Sequence, residues 1–415
     1  MKGFVLVLSC LGFSSSIAVA QDNFPEFKLH GLVDVRAIHA SDELSWFDRG
    51  LSKVRYARDE NGKRPNFDLA EVSVVGEASF SWALSAMAHV KFDREQKNVA
   101  DLVEAFVRYN PVPTSPWRVR AKAGMFFPPI SLEHGDIAWT SPYSLTPSAI
   151  NSWVGEEVKS TGLEVTVEHK GEDNIFSLSG SAFMLNDPTG TLLAWRGWAL
   201  HDVKATALGR FSLPNIQSLD TLFDGRQSPW VEPHHEIDNR VGYYVSGKWE
   251  MRDVATLSAL YYDNRGDPVK LKGGQYSWGT DFYNISLFSY LPGDVELLAQ
   301  YMAGTTLMGP VVNDYNVVTV SFYSHYAMLS RMFGEQRVSL RYDSFKTEDM
   351  SFVAQDNNNE NGHAWMASIS RTFKDKQRIM FEVQFVDSDR ANRADLGIPT
   401  RAKETLLQLS YRFAF

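Results

Sequence analysis

The sequence predicts an all-β fold, a transmembrane antiparallel β-barrel, on three observations. Apolar and polar residues alternate along most of the chain, the two-residue period of a strand whose successive side chains point to opposite faces. Short turns alternate with longer connections. Beyond the first twenty residues no uninterrupted apolar run reaches the ~18 residues of a membrane-spanning helix, which leaves a soluble periplasmic protein or a barrel, whose signal per strand is much weaker. A soluble sheet would also alternate. The barrel is favoured because one face carries Ala, Gly and Val in mid-strand with Tyr, Trp and Phe near the ends, while the other carries Glu, Arg, His and Lys. A mean hydropathy of -0.25 fits a wet lumen.

The N-terminus reads as a secretory signal over 1–20: Lys2, an apolar stretch from Phe4 to Phe13, and an A-x-A site at Ala18-Val19-Ala20. The mature chain then begins at Gln21. Lipidation through Cys10 would leave too short an apolar stretch, so the mature chain holds no cysteine, as expected of a bacterial envelope protein built without disulfides. Removing one base and no acid takes the formal charge from -9 to -10, which argues against nucleic acid as a partner. No composition shift or linker divides the remainder.

In order, the first strand is Leu29, Gly31, Val33, Val35 and Ala37 alternating with His30, Asp34 and Arg36. A polar connection, 42–66, leads to Ala70, Val72, Val74, Gly76 and Ala78. Beyond a reversal near Phe80 follow Trp82 to Phe92, then Val103, Ala105, Val107 and Tyr109, then the strand opening at Trp117. There Trp117, Val119, Ala121 and Ala123 share one face, and Arg118, Arg120 and Lys122 the other. The segment 124–157 is too rich in Pro and Ser for a strand and is expected to fold into the pore as a constriction loop. Leu163 to Glu168 and Phe176 to Met184 complete seven strands. The segment 186–239 reads as one large extracellular loop. Nine more strands follow, near Val241, Ala255, Tyr283, Val295, Val318, Val338, Trp365, Ile379 and Leu407, for sixteen in all; eighteen would result if Val203–Phe211 paired with a partner near Leu219–Phe223. An even number suits a bacterial barrel, with short turns on the periplasmic side. In the strand near Val318, the outer face is assigned to Val318, Val320, Phe322 and Tyr326.

Charged rings at the narrowest point set a pore's selectivity. The pore-lining bases expected are Arg118, Arg120 and Lys122, with Arg36 and Lys91 on nearby strands. The constriction loop contributes Phe127 and opposes the bases with Glu133, Asp136, Glu156 and Glu157, giving a transverse field that orients dipolar solutes. The aromatic ending Tyr411, Phe413 and Phe415 reads as a signal to the barrel assembly machinery.

The stretch Ala123-Gly124-Met125-Phe126-Phe127-Pro128-Pro129-Ile130-Ser131-Leu132-Glu133 resembles the Gly-x-Phe-Lys-x-Pro-Phe-x-x-Glu segment of the phosphate-selective porin O and P family, a group of bacterial outer-membrane porins. Phe127 stands where that pattern has Lys. The resemblance implies a sixteen-stranded homotrimer in outer-membrane lipid whose third outer loop folds inward, a passive channel without a cofactor; the solutes expected are small and hydrophilic, anionic (phosphate-like) or dipolar.

Other classes fare worse. His234-His235-Glu236 places adjacent histidines on opposite sides of an extended chain with no third ligand in view, so no metal is expected. No nucleophile elbow or zincin motif points to an enzyme. An adhesin or scaffold would rest on 186–239, whose Trp195, Trp198 and Trp230 could cap the barrel or stack on sugars. A plug domain plus 22 strands would not fit the chain's length, which argues against a TonB-dependent transporter.

Overall fold

The computed structural model describes residues 24–351, 353–374 and 376–415; the expected signal segment lies outside them. Sixteen antiparallel strands close into one barrel. They are β1 (Glu26–Ala40), β2 (Phe67–Ser79), β3 (Leu84–Phe92), β4 (Ala100–Tyr109), β5 (Trp117–Phe126), β6 (Ser160–Lys170), β7 (Asn174–Met184) and β8 (Gly242–Met251). The second half holds β9 (Ala255–Asp263), β10 (Gly279–Leu291), β11 (Val295–Val312), β12 (Tyr315–Phe333), β13 (Gln336–Asp349), β14 (Glu360–Phe373), β15 (Gln377–Arg390) and β16 (Arg401–Ala414). β16 pairs with β1, and Gly31 and Phe415 exchange backbone hydrogen bonds of 2.9 and 3.0 Å where the ends meet. Tyr411, Phe413 and Phe415 all point outward along this seam.

The outer wall is apolar all round. Leu29 and Leu178 are 66% and 67% exposed, and Val165, Ile285, Leu340, Ile369 and Leu409 are exposed on other strands. A soluble monomer does not expose apolar surface on that scale; lipid is its natural solvent. Two aromatic belts bound the band. On β8, Trp249 stacks near Phe176 at one end and Tyr243 lies against Tyr261 at the other, each with centroids 6.1 Å apart. Six residues at ~3.3 Å separate the belts by roughly 20 Å, close to the ~25 Å apolar band of outer-membrane barrels.

Val203–Phe211 does not span the wall; only Phe211–Ser212 extends, pairing with Trp230–Val231 in a separate two-stranded sheet. Its alternation has another cause. Val203 and Ala205 pack in an apolar cluster while Asp202 and Lys204 make ion pairs, so a segment buried inside the barrel meets two unlike surroundings. Bulges at Ala70 and Val103 turn those two residues inward from the expected outer face. On β12 the assignment is one residue out: Tyr323, Ala327 and Leu329 face lipid, whereas Val318, Val320, Phe322 and Tyr326 face inward. Both faces of this strand are apolar because the barrel has a dry core as well as an oily exterior.

That core is made by drawn-in connections. From 127–159 comes helix α1 (Ala149–Glu157), and from 185–241 helix α2 (Thr191–Trp195). Trp153 of α1 packs edge-on against Phe282 and Phe322 of the wall, with centroids 5.3 and 5.2 Å away, and against Trp198 at 6.0 Å. The connection 186–239, expected as one large loop, does not stand clear of the barrel: Leu192, Leu193, Trp195 and Trp198 are buried, because the inward faces of β10–β12 offer them an apolar surface. The first long connection is drawn in too, with Lys53 paired to Glu360 and donating its backbone N–H to Glu404 at 2.9 Å.

Gly124 brings β5 close to β4. At φ +137° it occupies backbone space open chiefly to glycine, and an added Cβ would lie 2.3 Å from the Ala105 carbonyl oxygen. Gly124→Ala is expected to cost ~1–3 kcal/mol, seen as a lower urea midpoint of the refolded barrel; an unchanged midpoint would contradict this.

Candidate functional site

β5 alternates as a strand must, and Arg118, Arg120 and Lys122 face the lumen. Its register with β6 sets Glu168 opposite Arg118 and Glu164 opposite Lys122. Arg120 reaches Glu168 at 2.7 Å, Arg118 the same carboxylate at 3.9 Å, and Lys122 reaches Glu164 at 3.5 Å. The basic strand is thus partly neutralised by its neighbour. Because these groups keep contact with water, each pair is worth at most about 1 kcal/mol and holds its partners loosely.

The register of β4 on β5 places Arg108 opposite Lys122. Arg108 makes no ion pair among the described residues and lies 5.3 Å from the Phe106 ring. Two cavities of about 430 and 660 Å³ meet along Arg108, Lys122, Pro129 and Ser131. The smaller is lined by Arg120, Glu164 and Lys248 among several hydroxyls, the larger by His30, Glu77, His89, Glu104 and Asp136. Together they form a vestibule in which Arg108, Arg120, Lys122 and Lys248 are matched by Glu77, Glu104, Asp136 and Glu164. The result is a lining of interleaved bases and acids with no strong net sign.

The inward loop roofs this vestibule, but most of its expected charges do not line it. Glu133 is fully buried. Its carboxylate accepts from the Ser148 backbone N–H at 3.0 Å, the Ser148 hydroxyl at 2.6 Å and the Asn151 amide, and pairs with Arg341 at 2.9 Å. Glu133 therefore braces the start of α1, where Ser148 is the N-cap accepting from Asn151. Asp136 alone of the four acids borders the cavity, paired with Arg378 at 2.5 Å. Phe127 is buried and stacks on Trp139 with centroids 4.1 Å apart, and Trp139 stacks on His134 at 3.5 Å.

Arg36 and Lys91 are also not free pore linings. Arg36 is sealed against Asp34 at 2.8 Å and Asp202 at 2.5 Å, and Lys91 against Asp93 at 2.7 Å and Glu71 at 3.6 Å. The drawn-in segment around Asp202 and Lys204 covers the lumen wall there, so inward-facing is not the same as solvent-facing.

Glu156 and Glu157 latch the two drawn-in connections together. Glu156 grips Arg196 with oxygens 2.5 and 2.6 Å from the two terminal nitrogens. Burial works to raise its pKa, but Arg196 and His201 hold the carboxyl down at about 2. Glu157 accepts from Leu192 N–H at 2.8 Å and the Trp153 indole at 2.6 Å. Burial and the adjacent Glu156 charge push it up to about 7 from its ordinary 4.5. The signs are opposite. Glu156 stabilises the latch above its ordinary pKa and loses that contribution as pH falls through 2; Glu157 stabilises it below 4.5 and loses that contribution as pH rises through 7. Proteolysis of the two connections in the folded barrel is therefore expected to be slowest near pH 4.5 and faster by pH 8. Glu157→Gln should flatten the alkaline arm; an unchanged arm would refute the assignment.

His234 and His235 do not converge: His234 contacts the Thr161 hydroxyl at 3.1 Å, and His235 lies 4.0 Å from Glu232. Glu236 instead approaches Asp187 and Asp238, and Asp187 accepts the backbone N–H groups of Ile237 and Asp238 at 2.5 and 3.0 Å, closing the loop on itself. Arg108 is among the vestibule residues that the sequence reading passed over, with Glu77, Glu104, Glu164 and Lys248. Its inward phase on β4 was visible, and the turn after Tyr109 returns the chain so that Lys122 lies beside it.

No protein-family model matches the chain, and no curated protein matches it. Among solved structures, a loop-deleted form of OmpT, an outer membrane protein of Vibrio cholerae, is 9% identical with a TM-score of 0.56, covering 95% of this chain and 100% of that one. The chain has the fold of a bacterial outer-membrane β-barrel. DcaP, an outer membrane channel of Acinetobacter baumannii, is 10% identical with a TM-score of 0.55, covering 94% and 97%. A trimer form of the Vibrio cholerae OmpT is 9% identical with a TM-score of 0.52, covering 95% and 100%. At such identities the likeness concerns the fold.

Proposed function

We propose that this protein is an outer-membrane porin, a passive diffusion channel for small hydrophilic solutes, and that its vestibule favours dipolar ones. The observation that carries this reading is the balance of charge around the paired cavities, where Arg108 and Lys122 are interleaved with Glu77, Glu104, Asp136 and Glu164. Such a field aligns a zwitterion at little cost while giving a simple anion no net attraction. The likeness to the phosphate-selective porin O and P family rests on Ala123–Glu133, and Phe127, standing where that family has Lys, is packed on Trp139 rather than offered to an anion. A dipolar preference fits this arrangement better than phosphate.

Assembly as a homotrimer is part of the same reading. The outer face of β1–β3 carries a shallow apolar groove of about 360 Å³ lined by Phe27, Leu29, Gly76, Ala78, Ala86 and Ala88, small residues that let walls approach closely. The outward Tyr411, Phe413 and Phe415 are assigned to recognition by the barrel assembly machinery. No catalytic role is proposed. The test is swelling of liposomes that hold the purified protein, in isosmotic glycine, glycerol or sodium gluconate. Glycine should enter at least as fast as the uncharged glycerol and well ahead of gluconate. Swelling no faster than in protein-free liposomes would refute the channel.

A further inference from the structure

The loop-side mouth holds a second pocket, of about 390 Å³, lined by Phe47, Arg55, Tyr56, Arg64, Asp68 and Arg94 among others. Behind it the Asp202 carboxylate bridges two buried guanidinium groups: one oxygen lies 2.8 Å from Arg55 and the other 2.5 Å from Arg36. Arg55 faces the mouth pocket, whereas Arg36 and Asp202 border a void of about 10 Å³ shared with His134 and Trp139, at the limit of what one water fills. His134 and Trp139 in turn line the larger vestibule cavity. Asp202 thus stands between the mouth and the vestibule.

We propose that Arg36 and Arg55 form an oxyanion site for the carboxylate of a small solute, and that Asp202 occupies it as an internal stand-in. Charge bookkeeping supports this. Arg36 and Arg412 share Asp34, each at 2.8 Å, while Arg55 has Asp68 at 3.5 Å, a carboxylate that Arg94 also claims at 2.8 Å. Without Asp202, the ion-pair partners left to Arg36, Arg55 and Arg412 among the described residues are Asp34 and Asp68. Buried guanidinium groups left so require another anion. The surrounding backbone is fixed separately, with Leu200 N–H on the Lys53 carbonyl and Ala205 N–H on that of Gly155, at 2.7 and 2.8 Å. Exchange therefore needs only the Asp202 side chain to swing away while a solute carboxylate takes its place. A carboxylate is favoured over phosphate because the two guanidinium groups already hold the two oxygens of a planar carboxylate.

The inference rests on the channel reading for its purpose but not for its test. Full-length protein folded in detergent is titrated calorimetrically with sodium acetate and with sodium phosphate, its fold checked by heat-modifiable gel migration. Asp202→Ser, which vacates the place of the carboxylate, is expected to bind acetate about ten-fold or more tightly than the parent, ~1.4 kcal/mol or above, and phosphate more weakly than acetate. Adding Arg55→Gln should abolish the gain; Asp202→Ala serves if the Ser variant does not fold. Unchanged acetate affinity, or a gain that survives Arg55→Gln, would overturn the site. Tighter phosphate than acetate would overturn its carboxylate assignment. In planar bilayers, a variant that gains acetate affinity yet conducts nothing would leave the site standing and refute the channel.

Discussion

Arg341→Met is expected to release the inward loop while leaving the barrel wall intact. Arg341 is fully buried on β13, pairs with Glu133 at 2.9 Å and Asp343 at 2.7 Å, and donates to the carbonyls of Thr146 at 2.8 Å and Pro147 at 2.9 Å. Both acids are also buried. Removing the cation leaves two carboxylates without it in a dry setting, at a cost of about 3–5 kcal/mol. That cost falls on 127–159 because Glu133 and Asp343 hold the start of α1, the latter by accepting from Ala149 N–H at 3.1 Å, whereas the strand ladder does not depend on them. Limited proteolysis should cut this loop in a barrel that still shows heat-modifiable migration. The combination with Glu133→Gln and Asp343→Asn should restore much of the protection, since matched neutral groups avoid the buried charge. Resistance in the single variant, or none regained in the triple, would contradict the account.

The second large effect is on selectivity. Arg108→Ala with Lys122→Ala removes two of the four vestibule bases and leaves Glu77, Glu104, Asp136 and Glu164 in place. The cation-to-anion permeability ratio read from the reversal potential across a KCl gradient should rise several-fold at 10 mM salt, where the Debye length is ~30 Å, and by much less at 1 M, where it is ~3 Å. Arg120→Ala should shift it less, because Glu168 already offsets that guanidinium at 2.7 Å. Equal shifts for Arg108 and Arg120 would argue against the charge map.

The wall was legible because a membrane barrel writes its rule into every strand: outward Leu163, Val165 and Val167 against inward Glu164 and Thr166 require one period and one solvent. The interior was less so. Inward side chains meet either water or the drawn-in connections, and the strand period does not distinguish these. Arg118 and Arg36 look alike in sequence; one borders open lumen, the other lies beneath Asp202. Glu133, Glu156 and Glu157 read as a row of pore acids, yet each serves a buried hydrogen-bonding group contributed by a residue distant in the chain. On β12, Val318, Val320 and Phe322 betray the dry core only when set against Trp153 and Trp198. Long-range packing of this kind leaves no local periodicity to read.

The measurement that tests the central claim most directly is single-channel recording of the purified, folded protein in a planar bilayer, with reversal potential read across a KCl gradient. Stepwise conductance with a reversal potential near zero, moved toward cation selectivity by Arg108→Ala with Lys122→Ala, is the predicted result. A folded barrel that gives no steps would contradict the channel, and strong selectivity for either ion in the unaltered protein would contradict the balanced vestibule.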